Sequence, residues 1–248
     1  MDSCKNQLKK LTGKKYIIFT RRCNDSIKLA LQIVKNKGFS KILTQDQGGW
    51  LTYTQFIEKL NLEEIRIKTN HGIIQQLPKG EVLLLHSSPG YYALQEMNFK
   101  DIFIINDVCG SIGTSSAKVG DLIVGSFGKW KPINLGNGGF IATDDLMMYD
   151  FLKDLEVDLD FKLLNEKILS LANKLKFYKK HSDKAKFDLK DFEILKGEGI
   201  NVIVKFSSED EKEKLINYCD QNNYEFVECP KYIRVLDQAI SIEIKRLG

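Results

Sequence analysis

What this chain has little of narrows its class first. No apolar stretch approaches the ~20 residues that cross a bilayer as a helix, and the first residues lack the apolar core of a signal peptide, so a cytoplasmic protein with no membrane partner is expected. The cysteines number 5, an odd count with no CxxC among them, and read as reduced thiols rather than a disulfide framework. Three scattered histidines and cysteines far apart in the chain offer no zinc-ligand spacing, so no metal is expected. No GxGxxG follows the first strand candidate, which argues against a dinucleotide-binding Rossmann protein. Charge of one sign is scarce as well: 37 Lys and Arg against 33 Asp and Glu leave +4. Basic residues concentrate only in KNQLKKLTGKK near the start. With no aromatic-interleaved stripe after it, that run reads as a solvated helix face, and no nucleic-acid partner is expected.

What is present is an ordinary globular composition, 43% hydrophobic and 28% charged over 248 residues, enough for one substantial core and a small second unit. Apolar runs at 16–20, 41–44, 64–68, 81–86, 102–105, 122–127 and 140–143 read as strands, most of them separated by helical patterns, the signature of an α/β sheet. Helices are expected after Asn24 or Asp25, over 52–60, briefly over 91–97, after Asp144 and Asp145, and over 161–180. A polar, charged stretch at 181–191 reads as a hinge. Beyond it come a strand (200–206), a helix capped by Ser208 with Glu211 three residues on, and strands at 224–228 and 239–244. The expected organisation is a major domain over 1–185, helical extension included, and a small C-terminal α+β domain over 186–248.

Chemistry concentrates between 101 and 143. The strand at 102–105 delivers Asp107 to its carboxyl end, the side of an open α/β sheet where ligands bind. The next strand ends at Ser126 and leads to Lys131, and Gly136, Asn137, Gly138 and Gly139 form a tight loop before the following strand. A carboxylate, a hydroxyl and a lysine on adjacent strand ends suit an aldehyde cofactor held covalently by the amine. That amine must be partly deprotonated to react, which burial or a neighbouring cation favours, with Lys129 and Arg22 as the candidates. The helix start at Asn24 leaves amides for an anion. Trp50, delivered by Gly48 and Gly49, is by residue type more often core than a stacking platform.

At these residues the chain resembles the DegT/DnrJ/EryC1/StrS sugar aminotransferases, fold-type-I proteins that use pyridoxal 5′-phosphate. Asp107-Val108-Cys109 is similar to the family's strand-end aspartate signature. Gly120-Asp121 leading to Ser126-Phe127 resembles the segment whose serine touches the phosphate, Lys131 falls on the Schiff-base lysine, and the loop 136–139 is similar to the GEGG that follows, with Asn137 in place of the glutamate. The resemblance implies a three-layer fold-type-I major domain. It implies that Lys131 carries the cofactor, Asp107 binds its pyridine nitrogen, Trp50 stacks on its ring, and Ser126 and Asn24 hold its phosphate, although Cys23 stands where a glycine normally begins that helix. It implies ping-pong transamination between an amino donor and a small-molecule keto acceptor, by analogy a keto sugar, in a homodimer. Two other classes fit the same residues: a degenerate homologue that binds the cofactor without transaminating, and a protein that binds a sugar phosphate or nucleotide noncovalently.

Overall fold

Seven five-residue strands, β1 (Tyr16–Thr20), β2 (Lys41–Gln45), β3 (Glu63–Ile67), β4 (Val82–His86), β5 (Phe103–Asp107), β6 (Leu122–Ser126) and β7 (Gly139–Thr143), make one sheet in the computed structural model, which describes residues 1–247. Their order is β1-β7-β6-β5-β4-β2-β3, with β3 to β6 running parallel and β7 antiparallel to both β6 and β1. The central strands β4 and β7 are buried along their whole length, as expected for strands covered on both faces.

Helices supply both covers. On one face, Ile27, Leu31 and Val34 of α2 (Cys23–Asn36) and Ile57 of α3 (Thr52–Lys59) pack on Ile18, Leu84, Ile105 and Val124. Met148 and Leu152 of α4 (Leu146–Leu152) join them. On the other, Leu8 of α1 (Asp2–Thr12) and Leu164 and Ile168 of α5 (Phe161–Leu169) pack on Phe19, Ile123, Phe127 and Phe140. The result is the expected three-layer α/β arrangement. A separate three-stranded antiparallel sheet holds β10 (Ala239–Ile242) between β8 (Val202–Lys205) and β9 (Phe226–Cys229). It packs on α6 (Leu171–Asp188) and α7 (Glu209–Gln221) through Tyr178, Val202, Leu215 and Ile240. Among the described residues no helix is long and apolar enough to cross a membrane.

Three local expectations are corrected. The helical stretch at 161–180 is two helices divided at Ser170, and the second runs on to Asp188, so most of the expected hinge at 181–191 is helix. Lys179, Lys180, Asp183, Lys184 and Asp188 lie on the solvent side while Tyr178, Ser182 and Ala185 are buried. Residues 91–97 form no helix beyond a single turn at Pro89–Tyr91. The backbone carbonyls there are spent elsewhere, Tyr91 accepting from the Asn201 amide and Tyr92 from the Gly199 amide, both 2.8 Å. A segment whose carbonyls are taken by the C-terminal chain has no ladder left for a helix.

The topology brings the site together. β4 and β5 end side by side at His86 and Asp107, and β6 ends at Ser126 opposite Gly139, where β7 starts. Gly139 is needed there: a Cβ would come within 2.8 Å of both the Cys23 amide nitrogen and the Gly125 carbonyl oxygen. The first turn of α2 is thereby seated beside Ser126.

Candidate active site

At these strand ends lies a cavity of about 400 Å³. All five residues singled out in the sequence, Asn24, Trp50, Asp107, Ser126 and Lys131, line it. Asp107 is 2% exposed at its floor. The Tyr53 hydroxyl donates to its Oδ2 at 2.7 Å and the Cys109 amide to its Oδ1 at 3.0 Å. Burial, and then the charge of Asp107, push the Tyr53 phenol well up, which keeps it a donor. His86, next to Asp107 across the ladder, is 3% exposed, and neither ring nitrogen has a partner within the protein. Burial pulls its pKa down to about 4, so the ring is neutral and offers the cavity one donor and one acceptor.

Lys131 reaches back to donate to the Tyr91 hydroxyl, with its Nζ 4.9 Å from the centre of that ring and 5.7 Å from the centre of the Trp50 ring. Burial pulls its pKa down, but Tyr91, Cys109 and Asp107 outweigh burial and the net direction is up. This corrects the expectation that Lys129 or Arg22 depresses it. Lys129 instead sits 4.6 Å over Trp130, and the groups nearest Lys131 favour its proton.

Trp50 is 36% exposed, not core. Its indole N–H donates to Asn24 Oδ1 at 3.0 Å, and the Thr52 hydroxyl shares that oxygen at 3.3 Å. The side-chain oxygen of Asn24 therefore orients the indole. What faces the cavity for an anion is the start of α2, whose N-cap residue Arg22 makes no side-chain cap; the Arg22 carbonyl takes the Asp25 and Ser26 amides at 3.0 and 3.4 Å, so the amides ahead of Asp25 are the ones left for it. Ser126 Oγ accepts from the Gly128 amide at 3.1 Å and keeps its own proton to donate. Arg22, His86 and Cys109 also line the cavity. Arg21 does not; it pairs with Asp25 outside it.

The far wall comes from residues of the C-terminal segment that the sequence analysis does not single out. Arg234 (3% exposed) binds buried Glu243 through Nε at 2.7 Å and Nη2 at 2.6 Å. Lys245 lies 4.3 Å over the Tyr91 ring and 3.6 Å from Glu243. Burial and then the cations Lys131, Arg234 and Arg246 bring its pKa down to about 7, against the pull of Glu243. Arg246 stacks 4.5 Å over Trp130 and pairs with Glu225 at 2.6 Å. The one signal for this wall is the pair Lys245-Arg246 directly after the last strand.

Spacing also misled on cysteine. Cys23 and Cys109, 86 positions apart, place their Sγ atoms 3.4 Å from each other, and with an Asp107 oxygen they form a group of possible metal ligands within 4.8 Å. The argument from distant cysteines against such a cluster fails because the crossover helix returns to the same strand end.

Solved structures share this architecture over nearly the whole chain. Against E. coli GDP-4-keto-6-deoxy-D-mannose-3-dehydratase with bound hydrated pyridoxal phosphate the TM-score is 0.76 at 13% identity, over 97% of this chain and 86% of that one. The chain has the fold of the pyridoxal-phosphate aminotransferases. Within that fold, a DegT DnrJ EryC1 StrS aminotransferase from Brucella abortus gives 0.74 at 12% identity over 98% and 84%. The 3-amino-5-hydroxybenzoic acid synthase gives 0.72 at 10% over 100% and 86%. At these identities the likeness is one of fold. Residues 172–248 match the profile of the MJ1341 family C-terminal domain; that segment includes the three-stranded sheet and the cations Arg234, Lys245 and Arg246 that line the cavity. No curated protein sequence matches the chain.

Proposed function

We propose that the cavity binds pyridoxal 5′-phosphate through Lys131 and that the chain is an aminotransferase working by a ping-pong mechanism, with a keto sugar as the acceptor class. The observation that carries this reading is the convergence of a half-buried lysine, a buried carboxylate and an uncapped helix start on one cavity in this fold. The donor set fits the group: a carboxylate for the ring nitrogen, an amine for the aldehyde, and amides with Ser126 and Arg22 for the phosphate. The unpartnered nitrogens of His86 are further polar atoms awaiting a ligand.

When bound, pyridoxal phosphate supplies an electron sink for negative charge at the substrate's α-carbon. Asp107, fixed by Tyr53 and the Cys109 amide, would hold a proton on the ring nitrogen and so keep that sink effective. Trp50, oriented by Asn24, covers the ring. Lys131 Nζ would hold the cofactor's aldehyde and, as a free amine, would take and return the proton of the substrate's α-carbon. Tyr91 Oη is placed to exchange a proton with that amine, and Arg234, Lys245 and Arg246 give the opposite wall a positive potential for an anionic part of the substrate. The homodimer belongs to this reading, and sedimentation of the purified protein tests it directly.

The test is the visible absorption of protein mixed with pyridoxal phosphate, followed by borohydride reduction and mapping of the modified residue. A saturable band with the tag on Lys131, lost in Lys131→Ala, is the expected result. A tag on Lys245 would reassign the covalent residue within the same cavity. Adduct formation without exchange of amino groups, across a panel of donors and keto acceptors, would identify a cofactor-binding homologue that does not transaminate. No adduct at all would sink the covalent reading and leave noncovalent sugar-phosphate or nucleotide binding.

A further inference from the structure

The thiols of Cys23 and Cys109 are not used by the reading above, yet they sit at the two ends of its site. Cys23 is the first residue of α2, partly exposed and on the cavity wall. Cys109, 4% exposed, follows Asp107 by two residues and holds that carboxylate with its amide. The sulfurs are 3.4 Å apart and share a hydrogen bond. A disulfide requires ~2.05 Å, so they have about 1.4 Å to close. The other three cysteines, Cys4, Cys219 and Cys229, are buried and away from the cavity.

We propose that Cys23 and Cys109 are a reversible thiol–disulfide site, oxidised by a small-molecule disulfide entering the cavity, and that the bond switches off binding at the cavity's anion end. In the first step the Cys23 sulfur, its proton lost to solvent, attacks one sulfur of the incoming disulfide. A mixed disulfide forms and one thiolate leaves, taking up a proton. The Cys109 sulfur then gives up its proton, attacks Cys23 Sγ and expels the second thiol. Two protein thiols lose two electrons, and one small disulfide becomes two thiols. The roles follow from access: Cys23 faces the cavity, while Cys109 is 4% exposed and has its sulfur 3.4 Å from Cys23 Sγ, which suits it to the second, intramolecular step. The bond draws the start of α2 towards the end of β5. It displaces both the α2 amides that would hold a phosphate and the Cys109 amide that holds Asp107. This effect on loading rests on the cofactor reading above; formation of the bond does not.

The experiment equilibrates the full chain with glutathione and glutathione disulfide at a series of ratios, blocks free thiols with N-ethylmaleimide, and maps the digest by mass spectrometry. A peptide linked through Cys23 and Cys109 is expected to accumulate with the disulfide fraction, to disappear with dithiothreitol, and to be absent from Cys23→Ser. Recovery of both cysteines as alkylated thiols at the oxidising end, or only a glutathione adduct on Cys23, would overturn the site. The same samples are then treated with pyridoxal phosphate and borohydride. Labelling of Lys131 is expected to fall at least tenfold on oxidation and to return on reduction, whereas in Cys23→Ser, which lacks the thiol that starts the exchange, it no longer responds to glutathione disulfide, whatever its starting level. Equal labelling in both redox states would overturn the switch while the bond stands. No labelling in either state would remove the cofactor reading, and the switch with it, without touching the mapped disulfide.

Discussion

The reactivity of Lys131 is decided by one phenol. Burial alone would strip the proton from a lysine enclosed in protein, yet the net direction is upward because the Tyr91 hydroxyl accepts from Nζ and Asp107 and Cys109 add to its effect. Burial in turn pushes Tyr91 up to about 12, so it stays neutral. Replacing Tyr91 by Phe keeps the ring and removes the acceptor, which hands control back to burial. The midpoint for amine-directed labelling of Lys131 is therefore expected to move to lower pH, by about 1–3 units. A pH profile of acetylation at Lys131, read by mass spectrometry in wild type and Tyr91→Phe, checks this. Coincident profiles would show that the phenol does not hold the proton. At this scale the sequence is legible where the chemistry is local: Asp107, Ser126 and Lys131 lie in one stretch whose strand ends announce themselves. Tyr91, His86 and the Cys23–Cys109 pair escape because their roles depend on which strands become neighbours, which no spacing along the chain records.

At the level of elements, the anion end depends on how closely β7 lets α2 approach. Gly139 lies opposite Ser126, and its missing side chain is the space in which the Cys23 amide sits. Gly139→Ala must displace backbone on both sides, because the nearest atoms are the Cys23 nitrogen and the Gly125 oxygen, each 2.8 Å from the new Cβ. We expect a loss of about 1–3 kcal/mol in urea denaturation, together with weaker pyridoxal phosphate labelling of Lys131. Gly136→Ala is the control: nothing lies within 4 Å of its Cβ, and only its φ of +89° opposes the change. Its cost is about 1–2 kcal/mol, from left-handed strain alone, with labelling preserved. Equal loss of labelling in both variants would show that the α2 approach is not what matters. Strands and capped helices were readable here because apolar runs and cap residues are local signals: Asp145 Oδ1 accepts from the Met147 and Met148 amides, and Ser208 Oγ from the Glu211 amide. The stretch 91–97 was misread because its carbonyls are claimed by residues 199–201, a hundred positions away.

Over the whole molecule, the C-terminal sheet closes the cavity and brings a charge problem with it. Arg234, Lys245 and Arg246 surround one buried carboxylate, Glu243, and face Lys131 across Tyr91. The two-point Arg234–Glu243 pair is the anchor. Arg234→Met leaves Glu243 buried without its best partner and is expected to cost about 3–5 kcal/mol in chemical denaturation. Wild-type stability in that variant would show the pair to be dispensable.

Lys245 carries the excess. Its pKa of about 7 lies below that of a lysine in the unfolded chain, chiefly through burial and then through the neighbouring cations. Between pH 7 and the unfolded value near 10.4, the unfolded chain binds a proton at this position that the folded chain does not. Stability contributed here therefore rises with pH across that window, and the full penalty of forcing an ammonium into the wall is present below pH 7. From pH 7 to 8.5 the gain is about 1–2 kcal/mol. Other groups titrate in the same interval, so the informative quantity is the difference from Lys245→Met, in which the common contributions cancel. Urea denaturation of both proteins at pH 7 and 8.5 is expected to show wild type gaining on the variant as pH rises. Parallel behaviour would mean that Lys245 keeps its proton throughout, and that the wall facing Lys131 is a cluster of permanent cations rather than one that discharges near neutrality.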